Sequence, residues 1–347
     1  MREAPVLAEV IRGSVVESRH RGMIAAVTSV DGVAASLGGI DSVTYLRSSA
    51  KPFQALALVL SGALVHFGID DRELAVIIGS HGGEDIHTHA VAGLLAKIGL
   101  ESSALKCGAH IPFDATAAKR LGPDGPTVLH NNCSGKHAGM LAMCRHLGYD
   151  PSTYDHPDHP IQRQIKSLLA RFADVEPQTI ALGTDGCGAP TFALSVRQMA
   201  LSFARLVCPD ELEFDEAVVT ACARVIHAMM AFPEMVGATK DRLDTDLMIV
   251  AKGKLIAKIG AEGVYTVGVL PNEKYPTGLG LAIKIEDGDD RRVRGMVAVE
   301  ALRQLGVLTE SELTRLAPHR ERVLKNHRGD IVGHVRPTFQ LETSLAL

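Results

Sequence analysis

Two side chains in the segment Arg47-Ser48-Ser49-Ala50-Lys51-Pro52-Phe53 have the types and spacing for acyl transfer: the hydroxyl of Ser48 and the amine of Lys51. A serine hydroxyl is a weak nucleophile until a neighbour takes its proton, and a desolvated lysine is neutral enough to take it. If a helix begins near Ser48, the two side chains lie three residues apart and face the same way, while Ser49 points elsewhere. A helix N-terminus also holds a lysine pKa down and stabilises developing negative charge, and the apolar stretch that follows supplies a dry setting. Pro52 is tolerated in a first turn, although it biases Lys51 away from helical dihedrals. Chance alone places about one Ser-x-x-Lys in a chain of this composition. A second does occur, Ser103-Ala104-Leu105-Lys106, in a polar loop-like stretch with no buried helix behind it.

Two further pieces fit the same chemistry. Lys258-Ile259-Gly260 ends a late strand-like run, and Lys-x-Gly occurs late in serine β-lactamases and penicillin-binding proteins. A glycine there lets substrate approach the strand backbone. The triplet alone is weak, because Lys97-Ile98-Gly99 repeats it where a glycine would simply cap a helix. Ser80 opens the glycine-rich turn Ser80-His81-Gly82-Gly83 after an apolar run, a place that suits ligand contact as well as an ordinary turn or cap. Serine and lysine early, serine in the middle and Lys-x-Gly late is an order that resembles the serine β-lactamase and glutaminase-like fold. It pairs Ser48 with Lys51 and Ser80 with Lys258.

The densest reactive stretch is His130-Asn131-Asn132-Cys133-Ser134-Gly135-Lys136-His137, and Asp185-Gly186-Cys187-Gly188 is a glycine-lined turn; each opens a helical segment. Thiols at helix N-termini ionise more readily, so Cys133 and Cys187 could hold zinc. Two ordinary thiols are the blander alternative: neither belongs to a Cys-x-x-Cys pair, and Lys136 would have to bind as a neutral amine. The other cysteines, 107, 144, 208 and 222, read as core packing. His87 and His89, and the loop histidines 156 and 159, read as surface residues.

These groups need a scaffold. Residues 6–11, 23–29 and 33–37 read as strands, the last two joined by an Asp31-Gly32 hairpin signal. Residues 86–98, 136–147, 161–172, 190–206 and 213–231 carry apolar residues at helical spacing. Strands return at 247–250, 254–259, 264–270 and 281–285, followed by a helix over 292–305. The expected architecture is α/β in the α+β sense. An antiparallel sheet comes from residues 1–45 and 245–290 and a largely helical middle lobe from 48–232, all in one unit of 347 residues without linker or repeat. A net charge of −4 offers no basic face for nucleic acid. No run is apolar for long enough to span a bilayer, and the N-terminus lacks the marks of a secretory signal, so a cytoplasmic protein with free thiols is expected.

Taken together, the stretches 47–52, 79–83, 131–137, 183–188 and 258–263 resemble the rhizobial-type, asparaginase II-like (class 3) L-asparaginases over nearly the whole chain. The resemblance implies a serine β-lactamase-like fold, a homodimer, and hydrolysis of L-asparagine to L-aspartate and ammonia. It makes Ser48 the nucleophile with Lys51 as base, and Ser80 with Lys258 the second pair. It also implies a zinc site of Cys133, Lys136 and Cys187, with Arg47, His137 and Asp185 binding substrate or ordering water. The N-terminal motif of the classical bacterial enzymes is missing, and no self-cleaving Gly-Thr site stands out.

Overall fold

The computed structural model describes residues 3–30, 32–211, 213–288 and 291–343. The chain divides into two compact units of interleaved segments: Met1–Ser49, Leu194–Glu211 and Val250–Leu347 in one, Ala50–Ala193 and Leu212–Ile249 in the other.

The first unit is built on an antiparallel sheet. Its main path runs Arg322–Lys325, Ile331–Pro337, Val6–Arg12, Val15–Val27, Leu279–Ile285, Val264–Val269, Leu255–Ile259. Val15–Val27 is the long strand that joins its halves. Its first part pairs with Val6–Arg12, and residues 22–27 pair with Leu279–Ile285 on one side while residues 24–27 pair with Val33–Leu37 on the other. Gly22 marks the changeover, since a Cβ there would stand 2.1 Å from the Lys284 carbonyl oxygen. Burial follows pairing: the strand alternates exposed and half-buried residues at its start and is wholly buried at its end. The hairpin after it closes through Thr28 N–H to the Gly32 carbonyl at 2.9 Å. Asp31, half of the expected turn signal, lies outside the described residues. The helix Val196–Val207 packs on this sheet so closely that a Cβ at Gly280 would overlap the Ala200 carbonyl.

The second unit is mostly helical. The helix Asp71–Ile78, started by a capping box between Asp70 and Glu73, packs against Lys51–Leu60, Asp85–Lys97, Ser134–Leu147 and Glu216–Ala231. Glycines again set the distance: a Cβ at Gly135 would lie 2.3 Å from the Val76 carbonyl oxygen, and one at Gly139 would lie 2.8 Å from Ile77. The start of helix Ser134–Leu147 therefore rests on the end of helix Asp71–Ile78, bringing residues 133–137 beside residues 79–80.

The expected antiparallel sheet drawn from both ends of the chain, with helices between, is the class that forms. Two assignments change. Residues 247–250 belong to the helix Leu243–Val250, whose first turn carries Asp244 and Asp246 at the end where acidic groups are favoured. A short apolar run does not reveal its own period. Residues 190–206 divide into the strand Pro190–Ser195, buried throughout, and a helix that starts at the capping box of Ser195 and Gln198. The strands Arg322–Lys325 and Ile331–Pro337 extend the sheet beyond the expected 245–290. Among the described residues no helix is long and apolar enough to cross a membrane, and all six cysteines are free and buried.

Candidate active site

Lys51 begins its helix with no charged neighbour in the first turn and is 1% exposed. Its Nζ lies 2.6 Å from the Gly79 carbonyl oxygen, 3.1 Å from that of Asn132 and 3.0 Å from Ser80 Oγ. Burial drives its pKa down; the nearby thiols of Cys133 and Cys187 oppose the shift and Lys136 reinforces it. A neutral amine has two hydrogens and one lone pair. Two carbonyls, which only accept, compete for both hydrogens, so the groups left to meet the lone pair are the Ser80 hydroxyl and the Cys133 thiol, a further side-chain partner of this amine. In that state Lys51 is arranged as a base toward Ser80. The serine is fixed from behind: Ser80 N–H donates to the Val236 carbonyl at 2.9 Å, and Gly79 leaves no room for a Cβ against the Met235 carbonyl.

Next to Asn132, whose carbonyl meets this lysine, is a buried thiol cluster. Cys133 caps helix Ser134–Leu147, its N–H donating to Asn131 Oδ1 at 2.9 Å. Lys136 Nζ lies 3.0 Å from Cys187 Sγ, and Asp185 Oδ2 lies 3.4 Å from the same sulfur. Asp185 and Cys187 occupy the tight turn between the strands Leu182–Thr184 and Pro190–Ser195. A hydrogen bond from Cys133 and the charge of Lys136 lower the Cys187 pKa to about 6 against the effect of burial. The same hydrogen bond and burial push Cys133 up to about 12. The two sulfurs thus titrate as a coupled pair, with Cys187 the one whose ionisation is favoured. Burial opposes the charge on Lys136, but the Cys187 and Cys133 sulfurs outweigh it and hold its pKa above the usual lysine value. Ionisation of Cys187 beside the Asp185 carboxylate is thus favoured by a cation, and Lys136, 3.0 Å from the sulfur, is placed to supply it.

The histidines divide by role. Lys106 N–H donates to Tyr154 Oη at 2.8 Å, so the tyrosine hydrogen goes to His137 Nδ1 at 2.7 Å. His137 therefore carries its proton on Nε2, which is buried with no hydrogen-bond partner among the described residues. Burial and the Lys136 charge lower its pKa to about 3, so it is a neutral donor. His81, bonded to Ser134 Oγ at 2.9 Å, stacks on His87 at 5.0 Å. His87 and His159, expected at the surface, are buried: His87 reaches the Glu234 carbonyl, and His159 caps helix Pro160–Ala173 while meeting the Asp150 carbonyl.

In the first unit, Ser48 is half-buried in the single 3-10 turn Arg47–Ala50 that leads into helix Lys51–Leu60. Ser49 points away, as its spacing predicts, and donates to the Lys258 carbonyl at 3.2 Å. Lys258 is fully buried on the strand Leu255–Ile259, its Nζ 3.2 Å from the Ile259 carbonyl oxygen. Gly260 admits the Leu46 carbonyl, which would stand 2.6 Å from a Cβ there. Arg47 faces Glu262 at 3.8 Å. Within each unit, then, separate stretches of sequence converge: 46–49 with 258–262 in the first, and 51, 79–80, 131–137 and 185–187 in the second.

Residues 8–337 match the L-asparaginase II family. The chain belongs to that family. As an L-asparaginase II family member it is an amidohydrolase of asparaginase/glutaminase type, acting on a small molecule. Among solved structures it is similar to a probable glutaminase from Bacillus subtilis complexed with 6-diazo-5-oxo-L-norleucine, at 12% identity and a TM-score of 0.37, over 82% of this chain and 84% of that one. A Bacillus glutaminase is similar at 11% identity and a TM-score of 0.37, over 82% and 91% of the two chains. None of the curated proteins compared matches the chain. Reading residue types did not single out the carbonyls of Gly79 and Asn132, the Tyr154 hydroxyl or Glu262. Backbone carbonyls carry no signature in sequence, although the glycine at 79 hints at a crowded backbone.

Proposed function

We propose that this asparaginase-family chain hydrolyses L-asparagine to L-aspartate and ammonia through a serine-bound acyl intermediate. The observation that carries the reading is buried Lys51, its amine held by the carbonyls of Gly79 and Asn132 and 3.0 Å from the Ser80 hydroxyl, which can relay its proton. In the proposed course Lys51 takes the proton of Ser48, whose oxygen attacks the side-chain amide carbon. Backbone N–H groups near Ser48 stabilise the oxyanion. The C–N bond then breaks, and the proton on Lys51 passes through Ser80 to the departing ammonia. Water, activated by the same lysine, cleaves the ester and frees aspartate. Lys258 serves as the second lysine of the scheme, partner to Ser80. Arg47, Asp185 and the Nε2–H of His137 bind substrate; that buried N–H otherwise lacks an acceptor. A homodimer in the cytoplasm completes the reading.

The test is a substrate panel: ammonia release from L-asparagine and L-glutamine, and hydrolysis of a chromogenic β-lactam. L-Asparagine is expected to have a kcat/KM about 100-fold above that of L-glutamine, the discrimination one methylene allows. Equal or faster turnover of L-glutamine would make the chain a glutaminase instead, and β-lactam hydrolysis without ammonia release would reject both amides.

The donor set also fits zinc. The ligand atoms of Cys133, Asp185 and Cys187 lie within 4.8 Å of one another, with Cys187 already disposed to be a thiolate. Cys133, Cys187 and Lys136 would hold the ion, Asp185 being near enough to join them. Lys136 would first give up its proton, which the competing dication promotes. Bound zinc would supply positive charge that fixes the pocket and orients a polar substrate group. Cys187→Ser is expected to weaken zinc binding by at least about 100-fold, read as metal content after dialysis at fixed free zinc. Chelated wild-type protein should keep measurable ammonia release. Unchanged zinc content in Cys187→Ser would remove this cluster as the metal site.

A further inference from the structure

Among the described residues of the first unit, two non-glycine residues adopt left-handed backbone, and they face each other. Arg47 has φ 53° and Glu262 φ 59°, and Arg47 Nη1 lies 3.8 Å from Glu262 Oε1. This conformation is unfavourable for any residue with a Cβ and persists only where the surroundings hold it. Here they do. The Leu46 carbonyl sits in the space that Gly260 leaves open, and Ser49 Oγ donates to the Lys258 carbonyl. Arg294 Nη1 donates to the Gly260 carbonyl at 3.1 Å, and the Lys284 ammonium to the Glu262 carbonyl. The segment before Ser48 and the segment after Lys258 are thereby locked together within one unit.

Glycine would adopt the backbone of position 262 without strain, as Gly263 does at φ 72°. What glutamate adds is its carboxylate. That group is largely exposed, at 68%, whereas the Arg47 side chain is 25% exposed. Their separation is too long for a hydrogen bond but close enough for charge to orient the guanidinium. A guanidinium so oriented is suited to a planar carboxylate, which it binds through paired N–H donors.

We propose that Glu262 is a positioning residue for substrate recognition: its carboxylate orients Arg47 to receive the α-carboxylate of the amino-acid substrate. This inference rests on the asparaginase reading above and names the side chain behind its arginine. Glu262 touches no reacting atom and acts only through Arg47.

Two variants separate charge from backbone. Glu262→Gln keeps size and strain but loses the charge, and Glu262→Gly loses both. Each is expected to raise the KM for L-asparagine about tenfold, a change of the size expected for one oriented charge contact. Each should weaken competitive inhibition by L-aspartate by the same factor. kcat should stay within about twofold and Tm within about 2 °C, because the contact is made equally in ground and transition states at an exposed position. A wild-type KM in Glu262→Gln, or a loss confined to kcat, overturns the proposal. So does a defect in Glu262→Gln that Glu262→Gly repairs, since backbone strain would then explain it. If wild-type protein releases no ammonia from L-asparagine, the asparaginase reading fails separately. Calorimetry with L-aspartate then decides for Glu262: tenfold weaker binding in both variants sustains it, and equal binding or none in the wild type ends it.

Discussion

Ser48→Ala is expected to release ammonia from L-asparagine at least about 10³-fold more slowly than the wild type while folding as well. The catalytic loss follows from removing the atom that forms the acyl bond. The unchanged stability follows from the local structure: Ser48 is half-buried in a single 3-10 turn, and its hydroxyl has no hydrogen bond among the described residues. A hydroxyl without a partner leaves nothing unsatisfied when it goes, so the stability change should stay within about 0.5 kcal/mol. Ser80→Ala is the informative contrast. Its hydroxyl stands 3.0 Å from Lys51 Nζ, and if it only relays protons its loss should cost about 10²-fold. Acid-quenched turnover followed by peptide mass analysis reads the same question directly, with the aspartyl adduct expected on Ser48. An adduct on Ser80, or near-normal activity in Ser48→Ala, would move the nucleophile to the serine that already faces the lysine.

What was legible in the sequence, and what was not, divides along physical lines. Ser48, Lys51, Ser80, Cys133 and Cys187 stood out because nucleophiles and thiols beside glycine-rich turns or helix starts are chemically distinctive by type. The glycines at 135 and 139 are plain in the sequence, but their consequence appears only when Val76 and Ile77 are seen in the space a Cβ would fill. Burial of His87 was hidden for a related reason. An imidazole on a polar-looking helix start is indistinguishable from a surface histidine until His81 stacks on it and a carbonyl accepts from it. The strands Arg322–Lys325 and Ile331–Pro337 were missed because they are mostly exposed and carry charged residues, as strands near a sheet edge do. Lys51 is the most instructive case. Helical spacing directed it toward Ser48, but its hydrogen bonds run to Ser80 and to two carbonyls from distant segments. Tertiary packing supplied partners that local periodicity could not name.

That environment makes Lys51 the residue whose loss should be felt most broadly, and two replacements distinguish what it contributes. Lys51→Met removes both charge and basicity at similar length. Ammonia release should fall at least about 10³-fold, at the upper range of general-base effects. It also strands the carbonyls of Gly79 and Asn132, at a cost of roughly 1–3 kcal/mol for each buried group left unsatisfied. Lys51→Arg restores a cation and hydrogen-bond donors, but a guanidinium keeps its proton at any working pH and cannot act as a base. If Lys51 works by accepting a proton, Lys51→Arg should be as inactive as Lys51→Met even where it folds. If it merely provides positive charge, Lys51→Arg should recover much of the rate. The pH profile offers a second reading of the wild type. Burial lowers the Lys51 pKa, so kcat/KM should rise with pH as this amine loses its proton and level off below the ordinary lysine range. The cluster at Cys133 modulates that limb, since its sulfur charge opposes deprotonation of Lys51 and the Lys136 ammonium favours it. A profile that falls with increasing pH across this region would mean the charged lysine is the active form, and the base would have to be sought elsewhere.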